Sequence, residues 1–123
     1  MKLNDIIHTE KEVLAHGYEI TNEMIHGADL SVIGHFGNAV SINVWTGCCC
    51  LLSDHNNTDS IGHIIKALVE LFDLTEEDGY AFKNFKEIPC RIISNGFGSK
   101  VVGFGHFMKN KFVYTDEFMK ITE

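Results

Sequence analysis

The chain has 123 residues, of which 45% are hydrophobic and 22% are charged, and it contains one proline. This profile fits a single domain, residues 1–123, with a buried core, and it argues against two domains and against disorder. No apolar run reaches the roughly 18–20 residues of a membrane span, and residues 1–5 turn polar at once, unlike a secretion signal, so we expect a cytoplasmic protein that does not cross a membrane. The net charge of −7 argues against direct binding to nucleic acid.

The first predicted element is a helix within residues 3–16. Its start is indicated by Thr9 and Glu12, which have the spacing of a capping box, and its end by Gly17. Residues 18–27 have no clear period, and we assign them to neither a helix nor a strand.

A hairpin follows, because apolar and polar residues alternate over residues 28–36 and again over residues 40–45. A two-residue loop would place the apolar faces of the two strands on opposite sides of the sheet. A three-residue loop, 37–39, places Val40 opposite Phe36 and aligns the two faces, so we expect the odd-length loop.

The middle of the chain is predicted as a polar loop followed by a long helix. Residues 48–52 are apolar and continue the second strand or leave it to pack inside, whereas residues 53–60 are all polar and predict a surface loop. The helix is predicted over residues 60–73, with Asp59 or Ser60 as its cap. Its apolar stripe has helical spacing and consists of Ile61, Ile64, Ile65, Leu68 and Phe72.

The last third of the chain is predicted to return to strands after an acidic turn at residues 75–79. Residues 90–94 and 100–108 form a second hairpin, residues 111–114 form a further short strand, and a short helix begins at Thr115. This order predicts an α+β domain: an antiparallel sheet built from two hairpins, packed by the central amphipathic helix and by flanking helices.

The segment between the two strands of the second hairpin, residues 95–100, superficially resembles a phosphate-binding loop. It has the sequence Asn-Gly-Phe-Gly-Ser-Lys. A phosphate loop joins a strand to a helix, whose N-terminal amides and dipole bind the anion. Here the segment joins two strands, so we interpret its glycines as those of a hairpin turn.

Cysteines and histidines are candidates for a metal site. They are Cys48, Cys49, Cys50, His55, His63 and Cys90. Structural zinc sites use cysteines separated by about two to four residues. Three consecutive cysteines in an extended segment point to alternate faces, although Cys48 and Cys50 could share one. We interpret the cysteines as reduced, partly buried thiols and expect no metal or other cofactor, while metal binding by this set stays an open alternative.

No pattern indicates an enzyme, since no serine or cysteine lies in a nucleophile motif and no pair of carboxylates stands out. Single histidines on strands, such as His35 and His106, are more often structural. Arg91, the only arginine, suits a carboxylate or a phosphate, and its alternative is an ion pair with an acid such as Glu87. The candidate binding residues are Trp45, Arg91, Phe97, Lys100 and His106.

Three segments in the second half of the chain carry a resemblance to a known family. They are residues 61–68 (IGHIIKAL), 85–91 (FKEIPCR) and 102–112 (VGFGHFMKNKF). Over residues 60–113 the chain resembles a family of small, uncharacterised phage and prophage proteins. It departs from the family pattern at Glu87 and Ile88, where lysine-glycine or a similar small residue is usual, and at residues 112–113, where tryptophan-phenylalanine is usual. The resemblance implies a mobile-element accessory gene and carries no enzymatic activity.

We consider two functions. The first is a non-enzymatic phage accessory protein that binds a host protein, with an anti-defence (anti-CRISPR-like) inhibitor as its most specific form; residues 1–80, with 13 acidic and 3 basic side chains, would suit a basic partner. The second is a protein that binds or sequesters a small nucleotide signal. Trp45 or Phe97 would stack on the base, and Arg91 or Lys100 would hold the phosphate. An exposed strand edge would also allow a homo-oligomer.

Overall fold

The residues that the structure describes form a six-stranded antiparallel sheet with helices, a mixed α+β fold. The computed structural model describes residues 2–33, 39–47, 50–74, 87–96 and 100–122, so the turn predicted at residues 75–79 lies outside them. The strands are β1 (Glu19–Ile33), β2 (Ala39–Thr46), β3 (Cys50–Asn57), β4 (Ile88–Ser94), β5 (Val101–His106) and β6 (Phe112–Tyr114). The helices are α1 (Glu10–Ala15), α2 (Thr58–Leu71) and α3 (Thr115–Phe118), and a 3-10 turn spans Leu3–Asp5. The strand order in the sheet is β3-β2-β1-β4-β5-β6.

The longest strand, β1, pairs with two different partners along its length. Its first half, from Glu19 to Ile25, is antiparallel to β4, and its second half, as far as Ile33, is antiparallel to β2. The register with β2 shifts between Ile25 and Gly27, a bulge of the kind that bends a strand. Residues 18–27 have no clear period because the bulge and the change of partner interrupt the alternation.

The predicted first hairpin is present as β1 and β2, but its register differs from the prediction. Val40 pairs with Val32 rather than with Phe36, because the connection spans residues 34–38, which lie outside the described part of the chain. The apolar side chains of the two strands nevertheless lie on the same face of the sheet, as predicted. Positions 36 and 32 differ by an even number of residues, so pairing Val40 with either one places it on the same face.

The polar segment predicted as a surface loop is mostly a strand, and that prediction was wrong. β3 covers Cys50–Asn57 and is antiparallel to β2. The remaining residues, 58–60, begin α2. A strand at the edge of a sheet is held through its backbone, and its side chains need not alternate between apolar and polar. The sequence of residues 53–57 therefore contains no pattern by which the strand could be recognised.

The helices lie close to their predicted positions, with shifted ends. α1 begins after Thr9, whose side chain accepts from the Glu12 N–H at 3.2 Å, while the Glu12 carboxylate accepts from the Thr9 N–H at 3.2 Å. Gly17, at φ +85°, follows its end. α2 begins at Thr58, before either predicted cap, and ends at Leu71. In the described part of the chain no helix is both long and apolar enough to cross a bilayer.

The sheet is curled, and the larger core lies between it and the helices α2 and α3. β3 contacts β5 although β2, β1 and β4 lie between them in the sheet. Thr115 Oγ1, at the start of α3, donates to the carbonyl oxygen of Leu51 on β3 at 3.4 Å. The opposite face carries a smaller core with α1. The larger core includes Ile42, Ile64, Leu68, Phe104 and Phe118, and the smaller core consists of Val13, Ile93 and Phe112.

Candidate functional site

Two of the predicted binding residues, Arg91 and His106, meet at the connection between β5 and β6. We call residues 106–111 the braced loop, because groups from three other elements hold it. Arg91 reaches the loop from β4, Asp73 reaches it from the end of α2, and the first N–H of α1, at Glu10, donates to the side chain of Asn110 within the loop.

The guanidinium of Arg91 uses its donors inside the protein. Its Nε donates to the carbonyl oxygen of His106 at 2.8 Å, and its Nη2 donates to the carbonyl oxygen of Lys109 at 2.7 Å. Both acceptors are backbone groups of the braced loop, at its start and near its tip. Because Nε and Nη2 are engaged by carbonyls and the side chain is only 13% exposed, Arg91 holds the loop in place and offers little surface to a ligand.

Gly105 provides the space for this arrangement. In the sheet it lies between Arg91 on β4 and Phe112 on β6. A Cβ at Gly105 would lie 2.5 Å from Cδ1 of Phe112, so the position has no room for a side chain. The Arg91 guanidinium lies over the ring of Phe112, 4.5 Å from its centroid. The carboxylate beside Arg91 belongs to Glu10 of α1, at 3.6 Å, and not to Glu87.

His106 holds the backbone of the braced loop from the face of the sheet opposite to Arg91. Its Nδ1 accepts hydrogen bonds from the N–H groups of Met108, at 3.0 Å, and Lys109, at 2.9 Å. A ring nitrogen that accepts these bonds carries no proton, so neutral His106 has its proton on Nε2. Nε2 lies 3.2 Å from Oδ2 of Asp73, and the imidazole thereby joins the loop to the end of α2.

Asp73 stands where a helix usually has glycine. Its φ is +54°, its N–H donates to the carbonyl oxygen of Glu70 at 3.3 Å, and the N–H of Leu74 donates to that of Val69 at 3.0 Å. These bonds form a Schellman motif at the end of α2, whose left-handed residue is usually glycine or asparagine. A side chain in this conformation costs about 1 kcal/mol. The contacts of the Asp73 carboxylate explain why an acid is placed there.

The Asp73 carboxylate contacts three side-chain donors of the braced loop. Its Oδ2 lies 2.6 Å from Lys109 Nζ and 3.2 Å from His106 Nε2, and its Oδ1 lies 3.2 Å from Lys111 Nζ. The hydrogen bond from Lys109, followed by that from Lys111, holds the pKa of Asp73 below its ordinary value. Sequence reasoning missed this residue, although an aspartate at the last position of the predicted helix, with no glycine directly after it, was a usable signal.

Between these contacts the braced loop presents two apolar side chains to solvent. Met108 is 79% exposed, the largest exposed fraction of any large hydrophobic side chain in the described residues, and Phe107 is 43% exposed. Exposed apolar side chains on a fixed loop are typical of binding surfaces, because little conformational entropy remains to be lost on association.

Acidification is expected to destabilise the braced loop through His106. Burial lowers the pKa of His106 below its ordinary 6.5, and the Asp73 carboxylate offsets this only in part. The unfolded chain then binds the proton at a higher pH than the folded chain does. The stability that depends on neutral His106 is therefore present above about pH 6.5 and is lost as the pH falls through the folded pKa. Protonation of Nδ1 also removes the acceptor of the Met108 and Lys109 N–H groups.

The measurement is urea unfolding at about pH 7.5 and about pH 5.5. In His106→Asn the side-chain oxygen still accepts hydrogen bonds but does not titrate, so we expect a smaller loss of stability on acidification than in the wild type. His63→Asn, at an exposed position on α2, is the control and should keep the wild-type loss. An equal loss in the wild type and in His106→Asn would contradict the role of His106.

An open cleft of about 1060 Å³ lies where the two ends of the curled sheet approach each other, and Lys100 lines it. Its walls come from the region before β1, from β3, from β5, and from β6 with α3. The lining residues are His16, Tyr18, Cys50, Leu51, Lys100, Val101, Val102, Tyr114, Thr115, Asp116, Glu117, Met119 and Lys120. We call this cavity the seam cleft. Neither Arg91 nor Trp45 lines it.

Trp45 lies on β2, away from both the braced loop and the seam cleft. It pairs with Gly27 of β1, and a Cβ at Gly27 would lie 2.7 Å from Cζ2 of the indole. The indole thus covers the backbone of β1 at Gly27, where no side chain covers it. Phe97 and His35 lie outside the described residues. Of the residues expected to hold a nucleotide, the three that the structure describes, Trp45, Arg91 and Lys100, lie in separate places.

The candidate metal ligands whose side chains the structure describes lie in different places. Cys90 is buried in the larger core, Cys50 lines the seam cleft, and His63 is exposed on α2. Outside the described part of the structure lie Cys48, Cys49 and the side chain of His55. Among the residues that are described, no three His, Cys, Asp or Glu side chains are grouped so as to hold a metal ion.

Comparison with known proteins returns no relative. No family model matches the chain, and neither a curated protein nor a solved structure matches it.

Proposed function

We propose that this chain is a non-enzymatic accessory protein that binds a host protein through the braced loop. The observation that carries the proposal is the 79% exposure of Met108 on a loop whose backbone is fixed from β4, α1 and α2. Two adjacent exposed apolar side chains on an ordered loop form an apolar patch that a partner can cover.

The partner surface complementary to this loop has an apolar pocket that receives Met108 and Phe107. Lys109 lies beside them, but its side chain is 60% exposed and ion-paired with the carboxylate of Asp73 at 2.6 Å, so solvent screens its charge. Apolar contact therefore contributes more to affinity at this loop than charge does. The acidic N-terminal two-thirds of the chain would favour approach to a partner that is basic around this pocket.

The biological setting of the proposal comes from the resemblance of residues 60–113 to phage and prophage proteins. Small accessory proteins of mobile elements commonly act by occupying a surface of a host component. An inhibitor of host defence machinery is the most specific form of this function, and it needs a rigid binding surface but no catalytic group.

The proposal is tested by isolating partners from a host lysate with the wild-type protein and measuring the affinity of each purified partner. Met108→Asp should weaken the binding of the true partner at least about tenfold, because it places a charge in an apolar pocket. The variant should fold normally, since substitutions at exposed positions rarely change stability by more than about 0.5 kcal/mol.

Met24→Asp is the matched control, because Met24 is also exposed, at 41%, but lies on β1. It should bind the partner with wild-type affinity. The absence of any protein partner would overturn the proposal, and so would a partner that binds Met108→Asp as tightly as the wild type.

A further inference from the structure

The thioether of Met108 is the most accessible one in the described part of the chain. Met108 is 79% exposed and Met24 is 41% exposed, whereas Met119 is partly buried against the larger core. Met1 lies outside the described residues. Peroxides oxidise the sulfur of methionine to a sulfoxide, and they must reach the sulfur to do so. Among the three described methionines, we therefore expect Met108 to react first.

The backbone of the braced loop keeps this side chain in solvent. The N–H groups of Met108 and Lys109 donate to Nδ1 of His106 at 3.0 Å and 2.9 Å, and the carbonyl oxygen of Lys109 accepts from Nη2 of Arg91 at 2.7 Å. These bonds fix the backbone on both sides of the Met108 side chain. The sulfur therefore stays accessible to an oxidant and, after oxidation, to a reducing enzyme.

The oxidation is a transfer of one oxygen atom from hydrogen peroxide to the sulfur. A lone pair of the sulfur attacks one peroxide oxygen, the O–O bond breaks, and the S=O bond forms. The sulfur loses two electrons, and the second oxygen leaves as water with both protons of the peroxide. A thiol-dependent reductase reverses the change, because two thiols become a disulfide while the sulfoxide oxygen leaves as water.

The sulfoxide of Met108 would change the surface of the loop but not the fold. The side chain is exposed, and changes at exposed positions have little effect on stability. A sulfoxide is polar, however, and an apolar pocket offers no hydrogen-bond donor to its oxygen. Met119 differs in this respect, because it packs against the larger core, where a polar group would disturb the packing.

We propose that Met108 is a site of reversible oxidation, and that its conversion to the sulfoxide by peroxide releases the protein partner of the braced loop. The effect on binding rests on the proposed function, whereas the preferred site of oxidation does not. Oxidation and binding exclude each other, since a Met108 side chain that is covered by a partner is shielded from peroxide.

The site of oxidation is tested on the full chain without any partner. The protein is treated with about millimolar hydrogen peroxide, and peptides taken at intervals are mapped by mass spectrometry. The gain of one oxygen atom should be at least about threefold faster at Met108 than at Met24 or Met119, and methionine sulfoxide reductase should remove it. Equal rates at Met108 and Met24 would overturn the proposal.

The cysteines require a control, because peroxide also oxidises thiols and Cys50 is exposed. Dithiothreitol added after the peroxide returns disulfides and sulfenic acids to thiols, but it leaves the sulfoxide of methionine in place. Protein oxidised only at Met108 and then treated in this way should have the urea midpoint of the untreated protein. A lower midpoint would overturn the claim that the oxidation changes only the surface.

The effect on binding is measured with the partner purified for the preceding test. Each protein is compared with itself before and after peroxide followed by dithiothreitol. The affinity of the wild type should fall at least about tenfold and recover with the reductase. The affinity of Met108→Leu should not change on treatment, whereas Met24→Leu, the matched control, should lose affinity as the wild type does. A loss in Met108→Leu equal to that in the wild type would overturn the proposal.

The two proposals fail in different ways. A partner that binds wild-type protein fully oxidised at Met108 as tightly as the untreated protein would overturn the role of oxidation and leave the protein-binding function intact. The absence of any partner would overturn the protein-binding function together with its control by oxidation, while peptide mapping decides the site of oxidation on its own.

Discussion

Gly103→Ala is expected to destabilise the protein by about 3 kcal/mol. A Cβ at Gly103 would clash with the backbone carbonyl of Val113, lie 2.9 Å from Cδ1 of Ile93 and lie 3.2 Å from Cα of Tyr114. Two of these three atoms are backbone atoms of β6. The clash can therefore be removed only if β5 and β6 move apart and lose hydrogen bonds. A flexible side chain could move aside at little cost, but a paired strand cannot.

The matched control for this exchange is Gly62→Ala on α2. A Cβ there meets nothing within 4 Å, and the position lies inside a helix, so alanine should stabilise the protein by roughly 0.5–1 kcal/mol. Urea unfolding of the two variants should therefore give free-energy changes of opposite sign. A shift of the same sign in both would show that the packing around β5 is looser than these distances indicate.

Arg91→Lys is expected to cost about 2–3 kcal/mol, although it keeps the charge. The guanidinium donates to the carbonyl oxygens of His106 and Lys109 and covers the ring of Phe112. An ammonium group cannot span both carbonyls and stack on a ring at once. The variant should unfold at a lower urea concentration, and the N–H groups of Met108 and Lys109 should exchange with solvent faster because their segment of the loop is released.

Glu10→Gln separates the hydrogen bonds of Arg91 from its ion pair. Glu10 lies 3.6 Å from Nη1 and its side chain is half exposed, so its loss should change the free energy of unfolding by less than about 0.5 kcal/mol. If Glu10→Gln costs as much as Arg91→Lys, the ion pair and not the pair of carbonyl contacts holds the loop.

The α+β class and several elements could be predicted because their patterns are local. The stripe of apolar residues in α2 has a helical period within fourteen residues, and the capping box at Thr9 needs only four. β3 could not be predicted, because residues 53–57 become a strand only through backbone pairing with β2. The partner of Val40 could not be predicted either, since it depends on the connection at residues 34–38.

Two of the residues that fix the braced loop could be identified by their type but not by their role. Arg91 and His106 stand out as the only arginine and as a strand histidine, but what they touch depends on the register that sets Arg91 opposite Gly105. Asp73 is separated from Lys109 by 36 positions in the chain, and only the packing of α2 against the sheet brings them together. The seam cleft could be predicted even less, because the residues that line it extend from His16 to Lys120 in the sequence.

The curl of the sheet also affects how this chain meets other copies of itself. Open sheets expose edge strands, whose free N–H and C=O groups can template the addition of further chains and so promote aggregation. Here β3 turns toward the other end of the sheet, and Thr115 already donates to the edge carbonyl of Leu51. A foreign strand arriving at this point would first have to displace α3. The curl of the sheet that forms the seam cleft therefore also protects the edge near Leu51 against aggregation.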